Sequence, residues 1–150
     1  MGMEIERKFL IDKLPDNLDS YDFHIIEQAY LTTNPTIRVR KEDDRYYMTY
    51  KGSGKIAHEE YNLPLTEEAY LTLKSKADGN VITKKRYLIP YGEYTIELDV
   101  FSEPFAPLVM AEVEFPSLEE AEAFTGPGWF SIDVTDNREY YNSNMSRRKF

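Results

Sequence analysis

The chain is 150 residues long, 30% charged and 41% hydrophobic, with a formal net charge of -9 and no cysteine. This is the size and balance of one folded, soluble domain spanning 1–150, and it excludes disulfides, thiolate metal sites and a cysteine nucleophile. No run of about 18 apolar residues and no basic-then-apolar leader is present, and Glu6 stands where a myristoylation signal at Gly2 would need Ser or Thr, so a cytoplasmic protein without membrane attachment is expected.

In chain order, alternating β-rich segments fall at 3–11, 24–33, 36–42, 45–52 and 56–65. A helix is predicted over 66–77, where Thr66 can cap and Glu67 and Glu68 sit at the positive end of the dipole. Three more strands follow at 81–90, 93–101 and 107–116. The next helix, 117–125, opens on the capping-box pair Ser117 and Glu120, and a polar-aromatic helix is predicted over 137–146. The breaks are Asn34-Pro35, Asp43-Asp44, Gly52-Ser53-Gly54, Pro90-Tyr91-Gly92 and the Ser102 to Pro107 stretch. Links this short favour antiparallel pairing.

Charge, rather than hydrophobe, recurs with period two. Glu4, Glu6 and Lys8 share one face of the first strand, and Arg38 alternates with Arg40 across Val39. Thr49 and Lys51, Glu60 and Asn62, Glu97 and Asp99, and Glu112 and Glu114 repeat the pattern. One such strand is an ordinary amphipathic strand with a wet face. Six of them point to faces that converge, and an eight-stranded sheet closed on itself has room inside for side chains or a small ligand.

Isolated ions removed from water cost several kcal/mol each, so a charged interior must be paired, hydrated or filled by ligand. The inventory is nearly balanced: Lys8, Arg38, Arg40, Lys51, Lys84 and Arg86 against Glu4, Glu6, Glu60, Glu97, Asp99, Glu112 and Glu114. It provides cationic subsites for phosphate oxygens and carboxylate-rich subsites for hard metal ions. The net negative charge argues against nucleic-acid binding and requires such concentrated cations, or metal ions, for any polyanionic ligand.

Glu4-Ile5-Glu6-Arg7-Lys8 resembles the N-terminal signature of the CYTH or triphosphate tunnel metalloenzyme family. The remaining pieces follow in the family's order: Arg38-Val39-Arg40, Lys51, Glu60, Lys84-Lys85-Arg86, Glu97-Leu98-Asp99 and Glu112-Val113-Glu114, together covering roughly residues 3–142. The resemblance implies an α+β, β-dominated fold: an eight-stranded antiparallel closed barrel with a charged interior and a few flanking helices. It implies metal-dependent hydrolysis of a linear triphosphate, and Glu-Gln-Ala-Tyr-Leu-Thr-Thr and Glu-Val-Glu-Phe are most similar to small bacterial tripolyphosphatases.

By the same resemblance Lys8, Arg38, Arg40, Lys51, Lys84 and Arg86 bind substrate. Glu4, Glu6, Glu97, Asp99, Glu112 and Glu114 hold magnesium or manganese, two ions in all, and Lys8, Tyr30, Glu60 and Lys84 act in catalysis. Asn62 departs from the pattern, which carries a second acidic residue there, and the pattern selects Lys84 over Lys85 as the inward lysine. The expected partner is a small-molecule triphosphate, with a homodimer left open. His24 and His58 are read as solvated or packed, Trp129 and Phe130 as packing residues, and Arg138 as a weak candidate to reach the tunnel. Two other readings stand beside the first: a class IV adenylate cyclase or a thiamine or nucleoside triphosphatase on the same fold, and a non-catalytic triphosphate- or polyphosphate-binding module.

Overall fold

The computed structural model describes residues 2–52 and 57–150. The Ser53-Gly54 turn and Ile56 at the start of the fifth predicted strand lie outside the described residues. Eight strands form the barrel: β1 (Gly2–Ile11), β2 (Phe23–Thr33), β3 (Thr36–Glu42), β4 (Arg45–Lys51), β5 (Ala57–Pro64), β6 (Asp78–Tyr91), β7 (Tyr94–Phe101) and β8 (Val109–Glu114). Their spatial order is β5-β4-β3-β2-β6-β7-β8-β1, every pair is antiparallel, and β1 returns to β5 to close the circle. Closure removes the exposed edges that an open sheet would present.

The seam is unusual in one respect. Among the described residues, Gly2–Ile5 of β1 pair with β5, through registers such as Glu4 with His58, whereas Glu6–Leu10 pair with β8 on the opposite edge. Beyond Ile5 the β5 side of β1 is taken over by a ninth strand, β9 (Phe130–Asp133), paired at Phe9 and Ile11. Val134 N and Thr135 Oγ1 continue this contact, with Val134 N donating to Lys8 O at 2.9 Å and Lys8 N donating to Thr135 Oγ1 at 3.0 Å. Sequence reasoning missed this strand, since four residues of Phe-Ser-Ile-Asp alternation are too few to stand out from a loop.

Period-two alternation sends apolar side chains outward, where the helices cover them. Ala29 and Val39 pack with Tyr70 of α1 (Glu67–Lys76), and Thr66 Oγ1 caps that helix by accepting from Ala69 N at 3.1 Å. Tyr87, Ile89, Ile96, Leu98, Val113 and Phe115 pack beneath Ala121 of α2 (Leu118–Ala123), which Ser117 caps. Arg7 ties this layer together by donating to Ala121 O at 2.8 Å, Phe124 O at 3.1 Å and Asp133 Oδ2 at 2.7 Å. Phe130 stacks on Phe9 with ring centroids 4.6 Å apart, so its packing role holds, within the ninth strand.

The inward face is charged along most of its length but turns apolar at one end. Ile82 shares the face of Lys84, Phe101 that of Asp99, and Met110 that of Glu112. These three join Tyr30, Phe105 and Met145 in a buried cluster. Met145 belongs to α3 (Asn142–Met145), so the C-terminal segment caps this end of the barrel. The helix predicted over 137–146 is therefore a single 3-10 turn at Arg138–Tyr140 followed by one α turn, because Tyr141 is extended between them.

The cap is fastened to β6. Asn80 N donates to Ser146 O at 2.6 Å and Asn80 Nδ2 to Arg148 O at 2.7 Å. Gly79, at φ +79°, lies so close beneath Ser146 O that a Cβ there would overlap it. Gly79→Ala is expected to combine left-handed strain with this clash and lower stability by about 2–4 kcal/mol, measured by urea unfolding.

Candidate active site

The barrel encloses a cavity of about 780 Å³. Each strand contributes to its wall: Glu4, Glu6 and Lys8 from β1, Gln28 and Tyr30 from β2, Arg38 and Arg40 from β3, and Lys51 from β4. Glu60 and Asn62 of β5, Lys84 and Arg86 of β6, Glu97 of β7 and Glu112 and Glu114 of β8 complete it. All but one of the residues expected to bind substrate, hold metal or act in catalysis thus converge on one space. The exception is Asp99, which shares the inward face but is fully buried beneath Arg86 and Lys84.

Asp99 organises the cations in front of it. Arg86 grips it with two hydrogen bonds, Nε to Oδ1 at 2.7 Å and Nη2 to Oδ2 at 2.9 Å, and Lys84 Nζ is 2.9 Å from Oδ2. Burial would raise the Asp99 carboxyl, but Arg86 and Lys84 outweigh it and hold it below its ordinary value. With both oxygens engaged by cations and no exposed surface, Asp99 anchors Arg86 and Lys84. Arg86 also reaches Glu112 Oε2 at 3.2 Å and Glu97 Oε2 at 3.4 Å. Burial pushes the Lys84 ammonium down to about 8, with Arg86 and Arg40 acting the same way and Asp99 opposing. Lys85 points to the outside, its ammonium 3.9 Å from the ring centre of Phe23, which settles the choice between the two lysines.

Arg38 and Arg40 are the least compensated cations. Arg38 donates through Nη2 to Thr49 Oγ1 at 3.1 Å, while its buried Nε has no acceptor among the described residues. Arg40 donates to Gln28 Oε1 at 2.8 Å, and the nearest carboxylate, Glu42, is 3.7 Å away. Burial lowers the Arg40 guanidinium below its ordinary value, and Arg38 and Arg86 add to the effect. A donor-rich, buried pair of this kind is a site for an anion with several oxygens. Asn62 serves this wall as a neutral link, accepting from Thr49 Oγ1 at 2.5 Å and donating to Glu60 Oε1 at 3.2 Å.

The carboxylates crowd a different part of the cavity. Lys8 Nζ lies 3.6 Å from Glu112 and 4.0 Å from Glu6, and Lys51 Nζ lies 2.7 Å from Glu4 Oε1 and 3.8 Å from Glu60. Lys51 is thus the cation that Glu4 and Glu60 share, one ammonium between two carboxylates. Burial raises Glu6, with Glu112 and Glu4 adding to it against Lys51 and Lys8. Burial would also raise Glu112, but Lys8, Arg86, Lys84 and Lys51 hold it well below the usual carboxylate range. Glu114 stands exposed at the mouth, yet partial desolvation and the neighbouring Glu4, Glu97, Glu60 and Glu6 push its carboxyl up to about 7.

This excess of carboxylate oxygen fits hard divalent cations, whose ligands are oxygens. Among the described residues no three acidic or histidine side chains already converge as a cage.

Several wall residues went unnoticed in the sequence. Gln28 and Asn142 are buried amides with no charge to draw the eye, and Thr135 and Tyr141 come from the C-terminal segment. Tyr141 places its ring 5.0 Å from Lys8 Nζ. His58 lines the cavity near Gly52, and His24 pairs outside the barrel with Asp43 at 2.6 Å. Neither histidine contact was legible from spacing, because β-pairing creates both. Arg138 is exposed and absent from the wall.

The chain is 36% identical over 151 residues to an inorganic triphosphatase of Nitrosomonas europaea, covering 95% of this chain and 96% of that one. It is 32% identical to an inorganic triphosphatase of Acetivibrio thermocellus, covering 100% and 97%. A solved inorganic triphosphatase superposes with a TM-score of 0.73 at 33% identity, over 99% of this chain and 97% of that one. A solved protein described as a putative adenylate cyclase of Bacillus halodurans shares the fold, with a TM-score of 0.64 at 20% identity over 82% and 87% of the two chains. Residues 2–126 match the CYTH domain, and with relatives this similar over its full length the chain belongs to the CYTH family.

Proposed function

We propose that this protein hydrolyses inorganic tripolyphosphate in a reaction dependent on magnesium or manganese. The observation that carries the reading is the pairing, within one cavity, of an under-compensated arginine pair with a carboxylate wall in which Glu4 and Glu60 share Lys51 and Glu6 and Glu112 share Lys8. The relatives named as inorganic triphosphatases support it.

Phosphoryl transfer to water asks the protein mainly for positioning and for charge placed against developing charge. Arg38 and Arg40 bind non-bridging oxygens through their planar donors, and Lys84 and Arg86, preset by Asp99, extend that cradle. Lys8, poised between Glu6 and Glu112, donates to a phosphate oxygen or to the leaving group. Lys51 steadies Glu4 and Glu60, and Glu60 is the candidate to orient the attacking water or take its proton. Tyr30 is fully buried and accepts from Gln28 Nε2 at 2.9 Å, so its role runs through Gln28 as a positioning residue. Glu4, Glu6, Glu112 and Glu114 would hold the divalent ions, with Glu97 beside them. Such ions, when bound, neutralise phosphate charge and acidify water.

Phosphate release from tripolyphosphate, ATP and thiamine triphosphate, measured in parallel, is expected to favour tripolyphosphate and to stop in EDTA. Glu4→Gln, which keeps the side chain's shape, is expected to lose about a hundredfold or more in kcat. Preference for ATP or thiamine triphosphate would move the assignment to another chemistry of the fold. Tight tripolyphosphate binding without turnover would leave a binding module.

The Lys84 ammonium also sets a pH dependence. A lysine pushed down to about 8 is charged below that pH and neutral above it, so affinity for tripolyphosphate measured calorimetrically without metal should weaken as pH rises through about 8. Lys84→Gln should flatten that step, and an unchanged profile in the variant would assign the titration elsewhere.

A further inference from the structure

The buried amide network leads from the arginine cradle to the C-terminal segment, and the donors along it fix its polarity. Arg40 carries only donors, so the Gln28 atom 2.8 Å from its Nε is Oε1. Gln28 Nε2 therefore faces the other way, donating to Tyr30 at 2.9 Å and to Asn142 at 3.2 Å. The Asn142 atom that receives it lies 3.0 Å from Lys84 Nζ, again a pure donor, and so must be Oδ1. Flipping either amide would set donor against donor. Asn142 Nδ2 is thus left facing away from the network, with no acceptor among the described residues' hydrogen bonds, and Asn142 itself lines the cavity.

The residue is held firmly enough for this orientation to matter. It is 8% exposed, it begins α3 directly after Tyr141, and the segment behind it is pinned by Met145 in the end cluster and by Asn80. The geometry assigns Asn142 as a substrate-contacting residue, with Oδ1 holding Lys84 and Gln28 in place while Nδ2 donates to a non-bridging phosphate oxygen of the bound triphosphate. The assignment rests on the triphosphatase reading for its ligand. It means that the C-terminal segment completes the phosphate cradle as well as closing the barrel, which no acidic or basic residue in that segment reveals.

Two substitutions separate contact from mere support. Asn142→Asp keeps size, shape and the acceptor toward Lys84 but replaces the donor with anionic oxygen, whereas Asn142→Leu removes both polar functions without adding charge. Tripolyphosphate affinity without metal, by calorimetry, and KM and kcat with magnesium are compared with wild type, alongside thermal unfolding of each protein. The expected order of affinity is wild type, then leucine, then aspartate, with about a tenfold weakening for leucine, more for aspartate, and a rise in KM exceeding any fall in kcat. A supporting role alone would reverse the variants, leaving aspartate near wild type, and that order would overturn the assignment. Leucine within twofold of wild type would overturn it as well. Failure of wild-type protein to bind tripolyphosphate at all would defeat the triphosphatase reading and this inference together, whereas wild-type binding with either contrary order of variants would defeat the inference alone.

Discussion

Everything in the tunnel depends on the burial of Asp99. A carboxylate at 0% exposure is costly unless its oxygens are filled, and here Arg86 and Lys84 fill them from the neighbouring strand. The arrangement spreads outward from that point. Two cations that would otherwise repel each other inside a barrel are held side by side, facing the cavity, with their stems fixed. Arg86 in turn brings Glu112 under control, and Glu112 helps to balance Lys8. Compensation is complete around Asp99 and incomplete around Arg38 on one side and around Glu114, crowded by four other carboxylates, on the other. The cavity is thereby divided into an anion-seeking part and a cation-seeking part, the two needs of a metal-dependent reaction on a polyanion.

The architecture makes this division affordable. Apolar residues line the outside of the barrel under α1 and α2, so the inward face is released from the duty of forming the core. Where charge is not required, at the end occupied by Ile82, Phe101 and Met110, the inward face reverts to apolar packing and the C-terminal segment seals it. The partial pairing of β1 with β5 leaves the space that β9 and Thr135 occupy, which brings that segment to the wall.

Much of this was legible in the sequence because strands report their faces with period two. Alternation at Glu4-Glu6-Lys8, Arg38-Arg40 and Glu112-Glu114 placed these side chains together correctly, and the eight strands and first two helices lie close to their expected limits. What could not be read followed from distance along the chain. Asp99 and Glu97 look equivalent in Glu-Leu-Asp, and only the register of β7 against β6, with Asp99 opposite Arg86, lets Arg86 and Lys84 cover one and leave the other lining the cavity. Asn142 and Gln28 are 114 residues apart and carry no charge. The short β9 and the single turn of α3 are stabilised by what they pack against, so their own sequences carry little signal.

The central claim is that the cations and carboxylates of one cavity divide the work between phosphate and metal. A crystal structure of the protein with tripolyphosphate and manganese, recorded at an anomalous wavelength, tests it most directly. Phosphate oxygens are expected on Arg38, Arg40, Lys84 and Arg86, with manganese peaks beside Glu4, Glu6, Glu112 or Glu114. Tripolyphosphate bound outside the barrel, or manganese peaks found only away from those carboxylates, would contradict it.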